Sequence, residues 1–285
     1  MAAAELLEPT LRAYVGYCVG FSVRYFAVGC GVYWIFHVAF RERWLPYRIQ
    51  QMFPSRDEVI HGIRWSMSNM ALSGVSAVVV YWLVRDGWTS MYFAVAERGW
   101  WYAGVSVALG IVGYDAWFYW YHRWLHTPWL LRRVHATHHR AANPTAFAAF
   151  AHHPIETALG NVYFVLLVIF VPMHPLALAA VGFSLFVVNI VAHMGYELYP
   201  RGFTRHRLLR WGGTSTHHNL HHRHLRYNYG IIFTFWDRLM GTNHPAYDDA
   251  FEAIKARVAV ASSGGPAVAR PRHPRLDLSP IDTRN

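Results

Sequence analysis

The sequence is poor in lysine, cysteine and acidic residues. Lys255 is the one lysine among 26 basic residues, and 16 acidic residues leave a net charge of +10. The two cysteines, Cys18 and Cys30, lie in the first apolar segment, which argues against a disulfide framework and against thiolate metal ligands. The arginines are spread among loops without a nucleic-acid motif, so the basic charge favours anionic lipid headgroups over nucleic acid as its counterpart.

Apolar residues, by contrast, are abundant. They make up 54% of the chain, which also contains 13 Trp, and the mean hydropathy is +0.13. These values are typical of a membrane protein. Segments 13–40, 66–84 and 99–121 predict membrane-spanning helices. Segments 158–171 and 176–192 are shorter and predict a membrane hairpin at 158–192, for which full crossing of the bilayer stays open.

The distribution of arginine predicts an orientation in the membrane. Five arginines fall in 41–65, only two in 85–98, and four in 122–157, and the chain after residue 193 is again rich in arginine. Because positively charged loops stay cytoplasmic, we expect the N-terminus outside or in the lumen and the histidine-rich part in the cytoplasm. A bacterial inner membrane and the endoplasmic reticulum fit this pattern equally well.

Histidines concentrate in the second half of the chain, where 16 of the 19 fall between His122 and His244. Eight of them form three spaced sets: His122 and His126; His135, His138 and His139; His218, His221 and His222. Residues three and four apart share one helix face, so each set directs its imidazoles toward a common point. Neutral imidazole binds iron, zinc, copper or nickel. Eight imidazoles are too many for one ion and predict two metals close together.

Other residues are candidates for completing the site. His193 ends the membrane hairpin on the same side as the three sets and is predicted as a ninth ligand, while His153 is either a tenth or a residue that holds a ligand in place. Asp115 shares a helix face with His122 and is the first candidate to accept a hydrogen bond from a ligand. The remaining possible ligands or partners of ligands are Glu156, Glu197, His217, Asn228 and Asp237.

The order of these motifs is similar to that of a known family. The motifs are Asp115 to Arg123, His126, Arg133 to His139, Asn143-Pro144-Thr145, His153-Pro154-Ile155-Glu156, His218-Asn219-Leu220-His221-His222, Asn228-Tyr229-Gly230 and Trp236 to Thr242. Together they resemble the fatty acid hydroxylase superfamily and, within it, the sterol desaturase-like branch. The last two motifs argue against the acyl-CoA desaturases, whose histidine motifs are similar.

The resemblance implies an integral membrane enzyme with two iron ions held by histidines, which uses O2 and two electrons to hydroxylate or desaturate a lipid. Zinc can replace iron in purified protein, because it outcompetes ferrous iron for nitrogen ligands. With no cytochrome b5-like domain in the sequence, the resemblance implies a separate electron donor: a cytochrome b5-like protein, a ferredoxin or a reductase.

We therefore expect an all-α fold, an integral membrane helical bundle with a cytoplasmic histidine-rich helical cap that holds a di-metal centre. Residues 1–121 should form transmembrane helices, 122–250 the catalytic region, and 251–285 a largely disordered C-terminal extension. The expected substrate is a sterol-like or long-chain lipid. The alternatives are an acyl-lipid, sphingolipid or carotenoid hydroxylase and, in another class, a metal-binding or transport protein of the membrane.

Overall fold

The computed structural model describes residues 3–263, and within them the fold is helical. The seven helices of ten residues or more are α1 (Ala3–Tyr33), α2 (Arg56–Arg85), α3 (Gly99–Leu125), α4 (Pro154–Phe170), α5 (Pro175–His193), α6 (Ser215–His224) and α7 (Tyr247–Ser262). No β-strand forms in residues 3–263, where two isolated bridges join Arg48 to Tyr196 and Gly212 to Phe233. The all-α prediction is confirmed.

Three helical stretches are long and apolar enough to cross a membrane: Leu6–Ala39, Arg56–Arg85 and Pro175–His193. Helix α4 is apolar but shorter. Helix α3, predicted as a span, has 27 residues but does not reach the same hydropathy. Helices α4 and α5 are the two arms of the predicted hairpin at 158–192, and each begins at a proline, which is favoured in the first turn of a helix.

The apolar helices pack as two close groups. Helix α1 lies along α2, while α3 contacts both α4 and α5, and α2 joins the groups through α4. A Cβ atom on Gly74 of α2 would lie 2.8 Å from Cys18 Sγ of α1, and one on Gly110 of α3 would lie 2.7 Å from Val181 Cγ2 of α5. Small residues at such crossings allow helix backbones to approach closely.

The bundle has two different ends. Helix α3 ends beside His122, α5 ends at His193 and α4 begins at Pro154, so the histidine sets meet at one end. At the opposite end the 86–98 segment is fastened to the hairpin, because Ser90 N donates to Val168 O (2.9 Å) and His174 Nε2 donates to Phe93 O (3.2 Å). The metal candidates therefore share one end of the bundle.

Helix α7 corrects the predicted boundary at residue 250. It continues to Ser262, so residues 251–262 are helical, and the disorder predicted for them is wrong. Phe251 and Ile254 are buried on one face of α7, and Lys255 Nζ donates to Glu197 O (2.8 Å). This buried face explains why the segment is ordered. The prediction for 264–285 lies outside the described residues.

Candidate metal centre

Four separate segments carry the predicted ligands to the same end of the bundle. His122 and His126 lie at the end of α3 and His193 at the end of α5, while the other two sets lie on the helical segment Leu131–His139 and on α6. Residues Leu131–His135 form a π-helical turn, a feature frequent at functional sites because it redirects side chains. The N-terminus of α6 is capped by Thr214, which accepts a hydrogen bond from His217 N (3.2 Å).

Five of the histidines converge on one point. This five-histidine cluster consists of His122, His126, His135, His139 and His221, whose candidate ligand nitrogens all lie within 4.8 Å of one another. The Nε2 atoms are 2.9 Å apart between His122 and His135, 3.2 Å between His126 and His139, and 3.1 Å between His139 and His221. The cluster joins residues from α3, the 131–139 segment and α6.

The other four predicted ligands converge on a second point. This four-histidine cluster consists of His138, His193, His218 and His222, all of them buried. The Nε2 atom of His193 lies 3.3 Å from that of His138 and 3.0 Å from that of His218, and the Nε2 atoms of His218 and His222 are 3.1 Å apart. All nine predicted ligands thus belong to one cluster or the other.

Both clusters have the dimensions of a metal site. With an imidazole–metal distance of about 2.1 Å, two ligand nitrogens at right angles lie about 3.0 Å apart, which matches the observed nitrogen–nitrogen distances. Burial and, after it, the neighbouring imidazoles lower the pKa of His139, His221 and His222 well below its usual value. The rings are therefore neutral, which is the form that binds a metal. The residues fit a pair of metal ions.

Backbone carbonyls orient two rings of the five-histidine cluster. Because a carbonyl only accepts, Nδ1 of His122 donates to Tyr229 O (2.7 Å) and Nδ1 of His221 donates to Tyr227 O (2.7 Å). Each bond leaves the lone pair on Nε2, the atom directed into the cluster. Hydrogen bonding of the second ring nitrogen is the usual way in which a ligand histidine is fixed.

Glu156 orients a third ring and identifies a histidine that the sequence reasoning missed. Its Oε2 accepts from Nδ1 of His135 (3.0 Å), while Oε1 lies 3.7 Å from Nε2 of His152. His138, His152 and Glu156 form a third group with metal-binding spacing. His152 and Glu156 are four residues apart, and that spacing was the signal that could have found them.

The neighbouring His153 is not brought into any of these groups. Its Nδ1 accepts from Ile155 N (3.3 Å) at the start of α4, and its ring stacks on Trp65. The structure therefore places His153 as a helix cap, although its motif had made it a candidate ligand or ligand-holding residue.

The two aspartates accept hydrogen bonds from loop amides and not from the clustered histidines. Asp115 accepts from Phe233 N (3.0 Å), and within residues 3–263 no hydrogen bond joins it to a ligand histidine, contrary to expectation. Asp237 accepts from Tyr229 N (2.8 Å) and from the next amide (2.8 Å). It therefore holds the segment whose carbonyl accepts from His122.

The last three candidates brace α6 from outside the clusters. Glu197 accepts from Thr216 N (2.8 Å) in the first turn of α6, and Asn228 Nδ2 donates to His217 O (2.9 Å). The ring of His217 faces Tyr247 of α7 at a centroid distance of 5.1 Å. These contacts position the helix that carries His218, and none of the three side chains enters either cluster.

A cavity of about 370 Å³ lies within the bundle and ends beside the clusters. It lies among all five helices α1 to α5, and its end nearest the histidines includes His152 and Glu156. Phe164, Val168 and Leu185 contribute to its apolar walls. Its size is that of a ligand pocket, and the surrounding helices make it suitable for an apolar molecule.

Comparison with known proteins identifies the family. Residues 107–242 match the model of the fatty acid hydroxylase family. The Delta(7)-sterol 5(6)-desaturase of Leptosphaeria maculans is 32% identical over 199 residues, which cover 67% of this chain and 53% of that protein. Mouse lathosterol oxidase is 29% identical over 195 residues (67% and 63%), and the Delta(7)-sterol-C5(6)-desaturase of Nicotiana tabacum is 26% identical over 254 residues (86% and 87%).

The chain spans 53% of the length of the Leptosphaeria maculans protein and 63% of the length of mouse lathosterol oxidase, which is less than two thirds of either. No solved structure shows a significant match. The family match covers the end of α3, the 131–139 segment, the α4–α5 hairpin and α6, which are the elements that carry all nine clustered histidines. The chain belongs to the sterol desaturase-like branch of the fatty acid hydroxylase superfamily.

Proposed function

We propose that the protein is an O2-dependent di-iron oxidoreductase that hydroxylates or desaturates an unactivated C–H bond of a membrane lipid, most readily a sterol-like lipid. The observation that carries this proposal is the division of nine histidines into two adjacent clusters beside an apolar cavity. The names of the relatives, which are desaturases of Delta(7)-sterols and an oxidase of lathosterol, support the substrate class.

The five-histidine and four-histidine clusters would each hold one iron. Bound iron supplies the activation of O2 and the removal of hydrogen from carbon, which side chains alone do not perform. The residues of the chain supply the surroundings. Carbonyl groups and Glu156 keep Nε2 directed inward, burial excludes water from the reacting carbon, and the cavity holds the lipid next to His152.

The histidine end is proposed to face the cytoplasm. The arginine-rich segment 41–65, the 122–157 segment and residues 194–263 all meet at this end, as the positive-inside rule requires of cytoplasmic segments. A separate cytochrome b5-like protein, ferredoxin or reductase would deliver the electrons there. Zinc is a possible substitute for iron in purified protein.

The proposal is tested with iron-loaded protein in lipid vesicles, supplied with lathosterol, O2 and a reductase system. We expect O2 uptake coupled to a product that has lost two hydrogens or gained one oxygen, detected by mass spectrometry. The variant His218→Ala should be inactive, whereas His206→Ala, which changes an exposed histidine outside the clusters, should remain active. Turnover without O2, or active protein with fewer than two metals per chain, would contradict the proposal.

A further inference from the structure

The cavity is elongated and changes character along its length. One wall is the face of α4 from Glu156 to Val168, and twelve residues of helix span about 18 Å. The half far from the histidines is lined by Phe164, Val168 and Leu178. This half favours an apolar chain or ring system, so a polar group of a bound lipid is better accommodated in the other half.

The half near the histidines carries a row of neutral polar side chains. Asn161 Nδ2 donates to Ser73 Oγ (3.0 Å), and Ser73 Oγ donates to Asn69 Oδ1 (3.0 Å). Asn69 Nδ2 donates to Phe150 O (3.0 Å) and lies 2.9 Å from Nδ1 of His152. We call Asn69, Ser73, Asn161 and Thr157 the polar belt. Polar groups inside a membrane-embedded bundle are costly, and they are usually functional.

Thr157 gives the belt an unused hydrogen-bonding group. Its side chain is 3% exposed, it lines the cavity, and its Oγ1 has no partner among the described residues. Threonine in a helix commonly satisfies its hydroxyl on the preceding turn. A buried hydroxyl without a partner is unfavourable, so a group on the bound molecule that pairs with it would be favoured.

The charges around the cavity select a neutral group. Arg24 is the one lysine or arginine that lines the cavity within residues 3–263, but it is exposed at the rim, where it donates to Gly20 O (3.1 Å). The acid at the cavity, Glu156, accepts from His135. An anionic headgroup at the belt would be buried beside the carboxyl group of Glu156, while Arg24 stays exposed, and burial of an unpaired charge is strongly unfavourable.

We propose that the polar belt binds the hydroxyl group of a neutral lipid alcohol, which enters the cavity with its hydroxyl end toward the histidines. Thr157 follows Glu156 in the chain, and His152 contacts His138 at a ring-centroid distance of 5.0 Å. A hydroxyl at the Asn69 end of the belt therefore lies beside His152, which is in ring contact with the four-histidine cluster. The carbon that reacts is within a few bonds of the hydroxyl, and the rest of the lipid occupies the apolar half. This placement of the reacting carbon rests on the proposed function.

The test measures equilibrium binding to the full chain in detergent micelles, without turnover. The probes are lathosterol, which is a neutral alcohol, its 3-deoxy hydrocarbon and its 3-sulfate ester. The wild type should bind the alcohol about three- to ten-fold more tightly than the hydrocarbon, the gain typical of one hydrogen bond, and the sulfate most weakly. The variant Thr157→Val should lose most of this preference, and Ser73→Ala should reduce it.

Thr204→Val is the matched control. Thr204 is 2% exposed and its Oγ1 also lacks a partner among the described residues, but it does not line the cavity. Both valine variants should keep or raise the melting temperature, because each removes a buried unpaired hydroxyl. Only Thr157→Val should change the preference for the alcohol, so misfolding cannot produce the expected result.

The inference is overturned if the wild type binds the alcohol and the hydrocarbon equally, if it binds the sulfate more tightly than the alcohol, or if both valine variants lose the preference to the same extent. Selective binding of the alcohol by a protein that oxidises no lipid would keep the inference and contradict the proposed function. Oxidation of a lipid by a protein without this preference for the alcohol would contradict the inference and keep the proposed function.

Discussion

The two histidine clusters differ in how their rings are held. In the five-histidine cluster three rings donate from Nδ1 to a fixed acceptor, namely the carbonyls of Tyr227 and Tyr229 and the carboxylate of Glu156. In the four-histidine cluster only His193 does so, to Asn189 O (2.7 Å), and the Nδ1 atoms of the other three lack a partner among the described residues.

The surroundings of the two clusters also differ. The four-histidine cluster is fully buried and touches His152, which lines the cavity. The five-histidine cluster is supported by the loop at 227–230 on the side of the C-terminal helices. The comparison indicates that hydrogen bonds fix more of the rings in the five-histidine cluster than in the four-histidine cluster, where packing holds most of them.

Removal of one ligand from each cluster should have the largest effect. His221→Ala and His218→Ala should each leave one tightly bound metal per chain and lower turnover by more than about 100-fold, beyond the usual effect of losing an outer partner of a ligand. Metal analysis together with product formation would measure this. A variant that retained both metals and most activity would remove that histidine from the ligand set.

Loss of Glu156 should affect metal binding in the two clusters differently. Glu156→Ala removes the acceptor of His135, so the five-histidine cluster should bind its metal about 10- to 100-fold more weakly, while the four-histidine cluster changes less. Competition with a chelator, followed for the two metals separately, would show the difference. Glu97→Ala, at the opposite end of the bundle, is the control. Equal weakening of both metals would contradict the distinction between the clusters.

Substitution of His152 or His153, the two histidines before α4, should have the smallest and most specific effects. His152→Ala should lower turnover about ten-fold or less, because it removes a side chain at the junction of the cavity and the four-histidine cluster. His153→Ala removes a helix cap and should cost about 1 kcal/mol of stability, with turnover per folded protein nearly unchanged. Thermal unfolding and turnover would be measured for both. The reverse pattern would assign the catalytic contact to His153.

Eight of the nine clustered histidines could be predicted because the spacing of each set is a local property of a helix, and His193 because it ends the membrane hairpin on the same side. Their number predicted two metals, but each set was expected to converge on one point, and the split of two sets between the clusters was not predicted. Adjacent helical residues point about 100° apart, so the pairs His138/His139 and His221/His222 send one ring to each cluster. Which ring enters which cluster depends on where α3 and α6 dock, and no local pattern records that.

The differences between prediction and structure at Asp115 and at His152 and His153 have a related cause. Asp115 lies seven residues before His122, about two helical turns, which is too far for a direct bond between the two side chains. Its actual partner, Phe233 N, is distant in sequence and was not open to pattern reasoning. For His152 and His153, Pro154 begins α4 and leaves His153 outside the helix as its cap. The orientation of the first turn of α4 therefore determines that the ring of His152, and not that of His153, lies against the clusters.

The glycine contacts inside the two helix groups have a consequence for the speed of lipid exchange. Gly74 fixes α1 against α2, and Gly110 fixes α3 against α5, so neither contact can loosen without losing dense packing. Where α1 and α5 border the cavity, Phe21 and Phe186 meet across a centroid distance of 6.4 Å. We therefore expect a bulky lipid to enter by relative tilting of these two stiff helix groups, at a rate that follows the fluidity of the surrounding bilayer.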